Sequence, residues 1–133
     1  MISANAVWVE HSRFVGIAVS RHALVMDGGS TEKTASSPME LVLIALCGCT
    51  ATDVASILLK KREPFTGLEV RAEAEQAPEP PKVYTAIRLV YRVRGNVAKK
   101  AMEDAVRLSK EKYCSVSAML EKAAAITFTI EYV

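Results

Sequence analysis

The chain has 133 residues, half of them apolar and 24% charged, with a formal net charge of +2 and three cysteines. That composition excludes a disordered chain, and the length predicts one domain, residues 1–133, able to bury well over half of its unfolded surface. Lys and Arg are interleaved with Glu and Asp rather than gathered in a block, so neither nucleic acid nor a membrane surface is indicated as a partner.

Met1 to Asn5 lacks a basic start followed by an apolar run, so no signal peptide is expected and the cytoplasm is the expected compartment. In that compartment three cysteines serve more often as buried, catalytic or metal-binding groups than as structural disulfides.

Ala6–Glu10, Arg13–Ser20 and His22–Met26 read as three short strands, rich in Val, Ile, Phe and Trp and followed by the strong turn Asp27-Gly28-Gly29-Ser30. A polar loop, Thr31–Ser36, leads to the strongest helix signal in the chain, Ser37–Arg62. Ser37 is a good cap, Pro38 suits the first turn, and Glu40 completes a capping box. Lys60, Lys61 and Arg62 offset the negative pole of the dipole, and Pro64 stops the helix. Roughly 25 residues at about 1.5 Å each predict a helix of nearly 40 Å. Leu41 to Leu46 is apolar at every position, which predicts burial on all sides; the run is too short for a membrane span.

Beyond the helix, Leu68, Val70, Ala72 and Ala74 alternate with charged residues, which predicts a strand covered on one face. The proline-rich loop Gln76–Lys82 separates it from a longer strand in which Ile87, Leu89, Tyr91 and Val93 face one way and Arg88, Arg92 and Arg94 the other. Together they predict a hairpin. Asn96 is the expected cap of a second helix, Val97 to about Lys112, whose apolar face carries Ala98, Ala101, Met102, Ala105 and Leu108. A short third helix runs to about Lys122, with Cys114 at its start, and Ile126–Tyr132 alternates as a closing strand. The order βββ-α-ββ-αα-β has no βαβ regularity. It predicts an α+β fold with a mostly antiparallel sheet wrapped around the long helix. So apolar a helix in so small a domain also predicts a homodimer.

Cys47 and Cys49 stand some 160° apart around an ideal helix and cannot share a pocket. The Cys-Gly-Cys tripeptide is therefore not a local redox pair or chelate, and neither His11 nor His22 has metal-ligand spacing. Cys47 reads as a small hydrophobe. Cys49 is followed by Thr50, Thr52 and Asp53, so its face borders a polar cleft, and the start of a helix would lower the Cys114 thiol pKa. From the residues alone, a functional Cys49/Cys114 pair and two inert thiols stay open.

Ser37-Pro38-Met39-Glu40-Leu41 leading into Gly48-Cys49-Thr50, then Asp53-Val54 and Lys60-Lys61-Arg62, resembles the central helix of the OsmC/Ohr family, especially its YhfA-like branch. Lys112-Tyr113-Cys114-Ser115-Val116-Ser117 resembles that family's second cysteine motif, and Arg13-Phe14-Val15-Gly16 and Val25-Met26-Asp27-Gly28 its N-terminal hairpins. The resemblance implies an intertwined homodimer and thiol-dependent reduction of organic hydroperoxides, with Cys49 as the peroxidatic thiol, Cys114 as the resolving one, and an external dithiol as reductant. It further implies that a glutamate, Glu40, and an arginine, Arg13 or else Arg21, hold the thiolate. No cofactor or metal is implied. Met39, Leu43, Leu46, Met119 and Leu120 would favour an organic peroxide and serve equally as plain core. The alternatives are a non-catalytic dimer that binds a small hydrophobic ligand and a thiol redox sensor.

Overall fold

In the computed structural model, which describes residues 1–133, the order is β1 (Ala4–Glu10), β2 (Arg13–Ala18), β3 (Leu24–Asp27), α1 (Pro38–Lys60), β4 (Phe65–Gln76), β5 (Tyr84–Gly95), α2 (Lys99–Leu108), α3 (Ser115–Leu120) and β6 (Ala125–Tyr132). A π-helical turn, Ser109–Tyr113, joins α2 to α3. The expected α+β class and element order hold, with two three-stranded sheets and one long helix. The chain divides into two units, Met1–Leu43 and Ile44–Val133, and α1 begins in the first and ends in the second.

In the N-terminal unit β1, β2 and β3 form an antiparallel meander, with Val7 opposite Val15 and Arg13 opposite Asp27. Asp27 ends β3, is only 4% exposed, and organises the following loop. Its carboxylate accepts from Ser12 Oγ at 2.6 Å, from the Gly29 N–H at 2.9 Å, and from the N–H and hydroxyl of Thr34 at 2.9 and 2.8 Å. These hydrogen bonds, the one from Ser12 first, hold its carboxyl well below the usual range. A Cβ at Gly29 would lie 2.8 Å from Ser12 Oγ and 3.0 Å from Asp27 Oδ1, so a larger residue there would have to displace these hydrogen-bonded groups. The Asp27 N–H then bonds Ser36 O at 3.1 Å and hands the chain to Ser37. The capping box forms as expected: the Glu40 N–H reaches Ser37 Oγ at 3.1 Å, and the Ser37 N–H reaches Glu40 Oε1 at 2.9 Å. A serine hydroxyl in this role contributes about 1 kcal/mol.

In the C-terminal unit the strand order is β4-β5-β6. β4 and β5 are the expected antiparallel hairpin, with Ala72 opposite Leu89. β6 pairs parallel to β5, because the helical segment between them is long enough to return the chain to the same end of the sheet. Ile87, Leu89, Tyr91 and Val93 of the central strand β5 are each 1% exposed. Leu46, Thr50, Val54 and Leu58 of α1, spaced by four, are buried on one stripe, and Thr50 meets Tyr91 there. Ala101, Met102, Ala105 and Val106 are the buried face of α2.

Three expectations are corrected. Burial on all sides over Leu41–Leu46 is not found: Leu46 is fully buried, but Ile44 is 55% exposed, because a single chain covers only one stripe of α1. By length and composition alone α1 meets what a membrane span requires, as the core helix of a soluble protein also does. Asn96 does not cap α2. The Val97 N–H bonds Gly95 O at 2.9 Å, which turns the chain tightly around Asn96, and the helix starts only after an extended Ala98 that makes no side-chain cap. Finally, α2 does not run on to Lys112 as α-helix but widens at Ser109 into the π turn.

Because the folded Asp27 carboxyl is depressed, its contribution is fully present above the unfolded value and is lost as pH falls. Urea-unfolding stability should therefore decline below about pH 4 and decline less steeply in Asp27→Asn; parallel declines would contradict this role.

Candidate active site

Cys49 lies on α1 and Cys114 is the N-cap of α3; both sulfurs, like that of Cys47, are free thiols. The structure brings the Cys49 and Cys114 side chains close enough to influence one another. Cys49 is half-buried, whereas Cys114 is 3% exposed. The Cys114 sulfur also accepts from the Ser117 N–H at 3.3 Å, and the hydroxyl of that serine is buried without a hydrogen-bond partner.

The helix start does not lower the Cys114 pKa as the sequence suggested. Burial pushes this thiol up to about 11, the Ser117 N–H opposes the rise, and the neighbouring Cys49 side chain and Asp53 carboxylate add to it. α3 has six residues, and its small dipole is outweighed by desolvation. Cys47, on another face of α1, is half-buried, and burial raises its thiol pKa against a backbone hydrogen bond from Ala72. The helical spacing had separated Cys47 from Cys49 in this sense.

A chain of hydroxyls runs beside the thiols. Thr50 Oγ1 lies 2.6 Å from Tyr91 OH and 2.8 Å from Ser109 Oγ, and Ser109 Oγ donates to Asp53 Oδ2 at 2.8 Å. Thr50, Tyr91 and Ser109 are buried. Burial raises the Tyr91 phenol to about 12 despite the Thr50 hydrogen bond, so Tyr91 stays neutral at physiological pH. Tyr91 and Ser109 were not singled out from the sequence. Ser109 left one trace, a hydroxyl that continues the apolar face of Ala101, Met102 and Ala105.

Glu40 and Arg13 lie in the N-terminal unit, and no ion pair joins them. Ser37 holds the Glu40 carboxylate, with Lys33 Nζ at 3.6 Å, and these contacts lower its pKa, the Ser37 N–H most of all. Arg13 pairs with Glu10 at 2.5 Å and reaches Thr34 Oγ1 at 3.4 Å. Arg21 occupies the turn after β2 with φ +64, its N–H bonded to Ala18 O. Of the apolar residues named from sequence, Leu46 belongs to the core and Met119 is 65% exposed. No group of three or more His, Cys, Asp or Glu is placed to hold a metal ion.

Of the three thiols, Cys114 is the most buried and the two others are half-buried, while Cys47 and Cys114 have raised pKa values. Iodoacetamide at about pH 8 should therefore label Cys49 first, as read by peptide mass mapping; earlier labelling of Cys114 would contradict the described geometry.

Comparison with known proteins agrees with this architecture. Residues 29–131 match the family described as OsmC-like protein. Over 133 residues the chain is 47% identical to Protein YhfA of Escherichia coli strain K12, an alignment that covers 99% of this chain and 98% of that protein. The crystal structure of a hypothetical protein from Aquifex aeolicus VF5 superposes with a TM-score of 0.86 at 27% identity, covering 100% of this chain and 98% of the other. The organic hydroperoxide resistance protein OhrB of Bacillus subtilis shares the fold, with a TM-score of 0.71, 10% identity and 98% of each chain covered. With the family match spanning most of its length and a near full-length relative at that identity, the chain belongs to the OsmC-like protein family.

Proposed function

We propose that this protein is a thiol peroxidase that reduces organic hydroperoxides through Cys49 and Cys114. The observation that carries the reading is the proximity of two free thiols of unequal character, a half-buried Cys49 and a buried Cys114 whose pKa burial raises. Cys49, the more accessible of the two sulfurs, is the attacking group and reacts as its thiolate. That thiolate attacks the terminal oxygen of the hydroperoxide. The O–O bond breaks, the electron pair leaves on the alkoxide, which takes up a proton as the alcohol, and Cys49 becomes a sulfenic acid. Cys114 then attacks the sulfenic sulfur; the S–S bond forms and hydroxide departs with the Cys114 proton as water. An external dithiol of the cytosol reduces the disulfide by exchange and is itself oxidised.

The organic class of peroxide is supported by the fold shared with the Bacillus subtilis protein named above and by the apolar composition of α1. The roles of Glu40 and Arg13 as partners of the thiolate rest on the family resemblance alone. The protein acts as a homodimer in this reading, supported by large apolar side chains open to solvent: Ile44 and Leu59 of α1, Met119 of α3 and Trp8 of β1 are between 55% and 66% exposed.

With one equivalent of cumene hydroperoxide the intact mass should fall by two hydrogens, and non-reducing peptide mapping should place the loss in a Cys49–Cys114 disulfide. Cys49→Ser should abolish peroxide consumption. Thiols that survive unreacted for minutes would sink the peroxidase reading. Sedimentation equilibrium should give the mass of two chains, and Ile44→Asp should shift the distribution toward one; a monomeric wild type would refute the dimer.

A further inference from the structure

Peroxide reduction by this pair needs more than two neighbouring thiols, because the second step demands that Cys114 strike the Cys49 sulfur along one line. Cys114 is carried by the end of a wide turn. Its N–H bonds Ser109 O at 2.7 Å, closing the π-helical ring that begins at Ser109. One residue more per turn than in an α-helix rotates everything that follows by about 100°, so this ring sets which way Cys114 points.

The other end of the ring is fixed to the helix that carries Cys49. Ser109, fully buried, donates its only hydroxyl proton to Asp53 Oδ2 at 2.8 Å. A carboxylate can only accept, so this bond sets the direction of the whole chain. Thr50 must donate to Ser109 Oγ, and Tyr91 must donate to Thr50 Oγ1. Thr50 is the residue after Cys49, and Asp53 lies one helical turn beyond it. One serine side chain therefore grips the turn of α1 that bears Cys49 while its carbonyl closes the ring that bears Cys114.

We infer that Ser109 and Asp53 are positioning residues for Cys114: their hydrogen bond, oriented through Thr50 and Tyr91, holds the π turn so that the Cys114 sulfur faces Cys49 for disulfide formation. This rests on the thiol-pair reading above and assigns a separate control to its second half. Neither side chain touches the peroxide. Removing the Ser109–Asp53 bond should spare the attack by Cys49 and slow the attack by Cys114.

Oxidised glutathione separates the two steps without peroxide. Cys49 attacks its disulfide, releasing one glutathione thiolate and forming a mixed disulfide; Cys114 then displaces the second glutathione and closes the Cys49–Cys114 bond. The first rate is read in a Cys114→Ser background and the second in the chain with all three cysteines, both by quenched mass spectrometry. In Ser109→Ala and Asp53→Ala the displacement should slow by about ten-fold or more while mixed-disulfide formation stays within about two-fold, and Ser109→Thr, which keeps the hydroxyl, should restore the displacement. If Ser109→Ala fails to fold, Asp53→Ala carries the test, since Asp53 is only half-buried and loss of its carboxylate by itself eases deprotonation of Cys114, so that a slowed displacement there reports lost positioning. Displacement at the wild-type rate in the folded variants, or both steps slowed together, would overturn the assignment. Because no hydroperoxide is used, a protein inert to peroxide yet slowed only in displacement would refute the peroxidase reading and leave the positioning role standing.

Discussion

Thr50 places a hydroxyl in the middle of the buried stripe of α1, and the C-terminal unit is arranged to satisfy it. A buried hydroxyl without a partner costs on the order of 1–3 kcal/mol, whereas Leu46, Val54 and Leu58 on the same stripe need only apolar contact. Two partners meet it, Tyr91 from the central strand and Ser109 from the end of α2. Apolar packing tolerates small sliding, but hydrogen bonds of 2.6 and 2.8 Å do not. The polar residue thus sets the register among helix, strand and π turn, and Cys49, its immediate neighbour in sequence, inherits that register.

The two thiols show how burial and hydrogen bonding divide labour between chemically identical groups. Cys114 is desolvated, which raises its pKa so that it keeps its proton; Cys49 has some access to solvent. The helix start at Cys114 would have suggested the opposite polarity. Its contribution is one N–H bond from Ser117 at 3.3 Å, which opposes a larger desolvation cost. Asp53 reinforces the inequality, since a carboxylate near Cys114 disfavours a second negative charge there.

Features with local causes were legible in the residues. The reciprocal bonds of Ser37 and Glu40 follow from a three-residue spacing, the alternation of β4 from the pleat, and the separation of Cys47 from Cys49 from the helical period. Features decided by competition or distance were not. Asn96 is a good capping residue, but the Gly95–Val97 hydrogen bond claims the backbone around it. Leu41–Leu46 reads as a core segment on composition, yet the exposure of Ile44 depends on what else covers α1. The pairing of Ser109 with Asp53 joins residues 56 positions apart, and in the sequence pattern that continues α2 the serine is only a polar residue at an apolar position. The Cys49–Cys114 juxtaposition is equally non-local, and two separate cysteine motifs were needed to suggest it.

The parallel pairing of β6 with β5 bears on how the thiol pair comes into being during folding. β4 and β5 are joined by a short loop and can zip from their turn, whereas β6 reaches β5 only after α2, the π turn and α3 have been threaded between them. Closing that larger loop costs more chain entropy, and contacts of such sequence separation form late. Cys114 sits inside the loop, so its place beside Cys49 is secured only when the last strand of the chain docks. Until β6 docks, the chain therefore holds its three thiols without Cys114 secured beside Cys49.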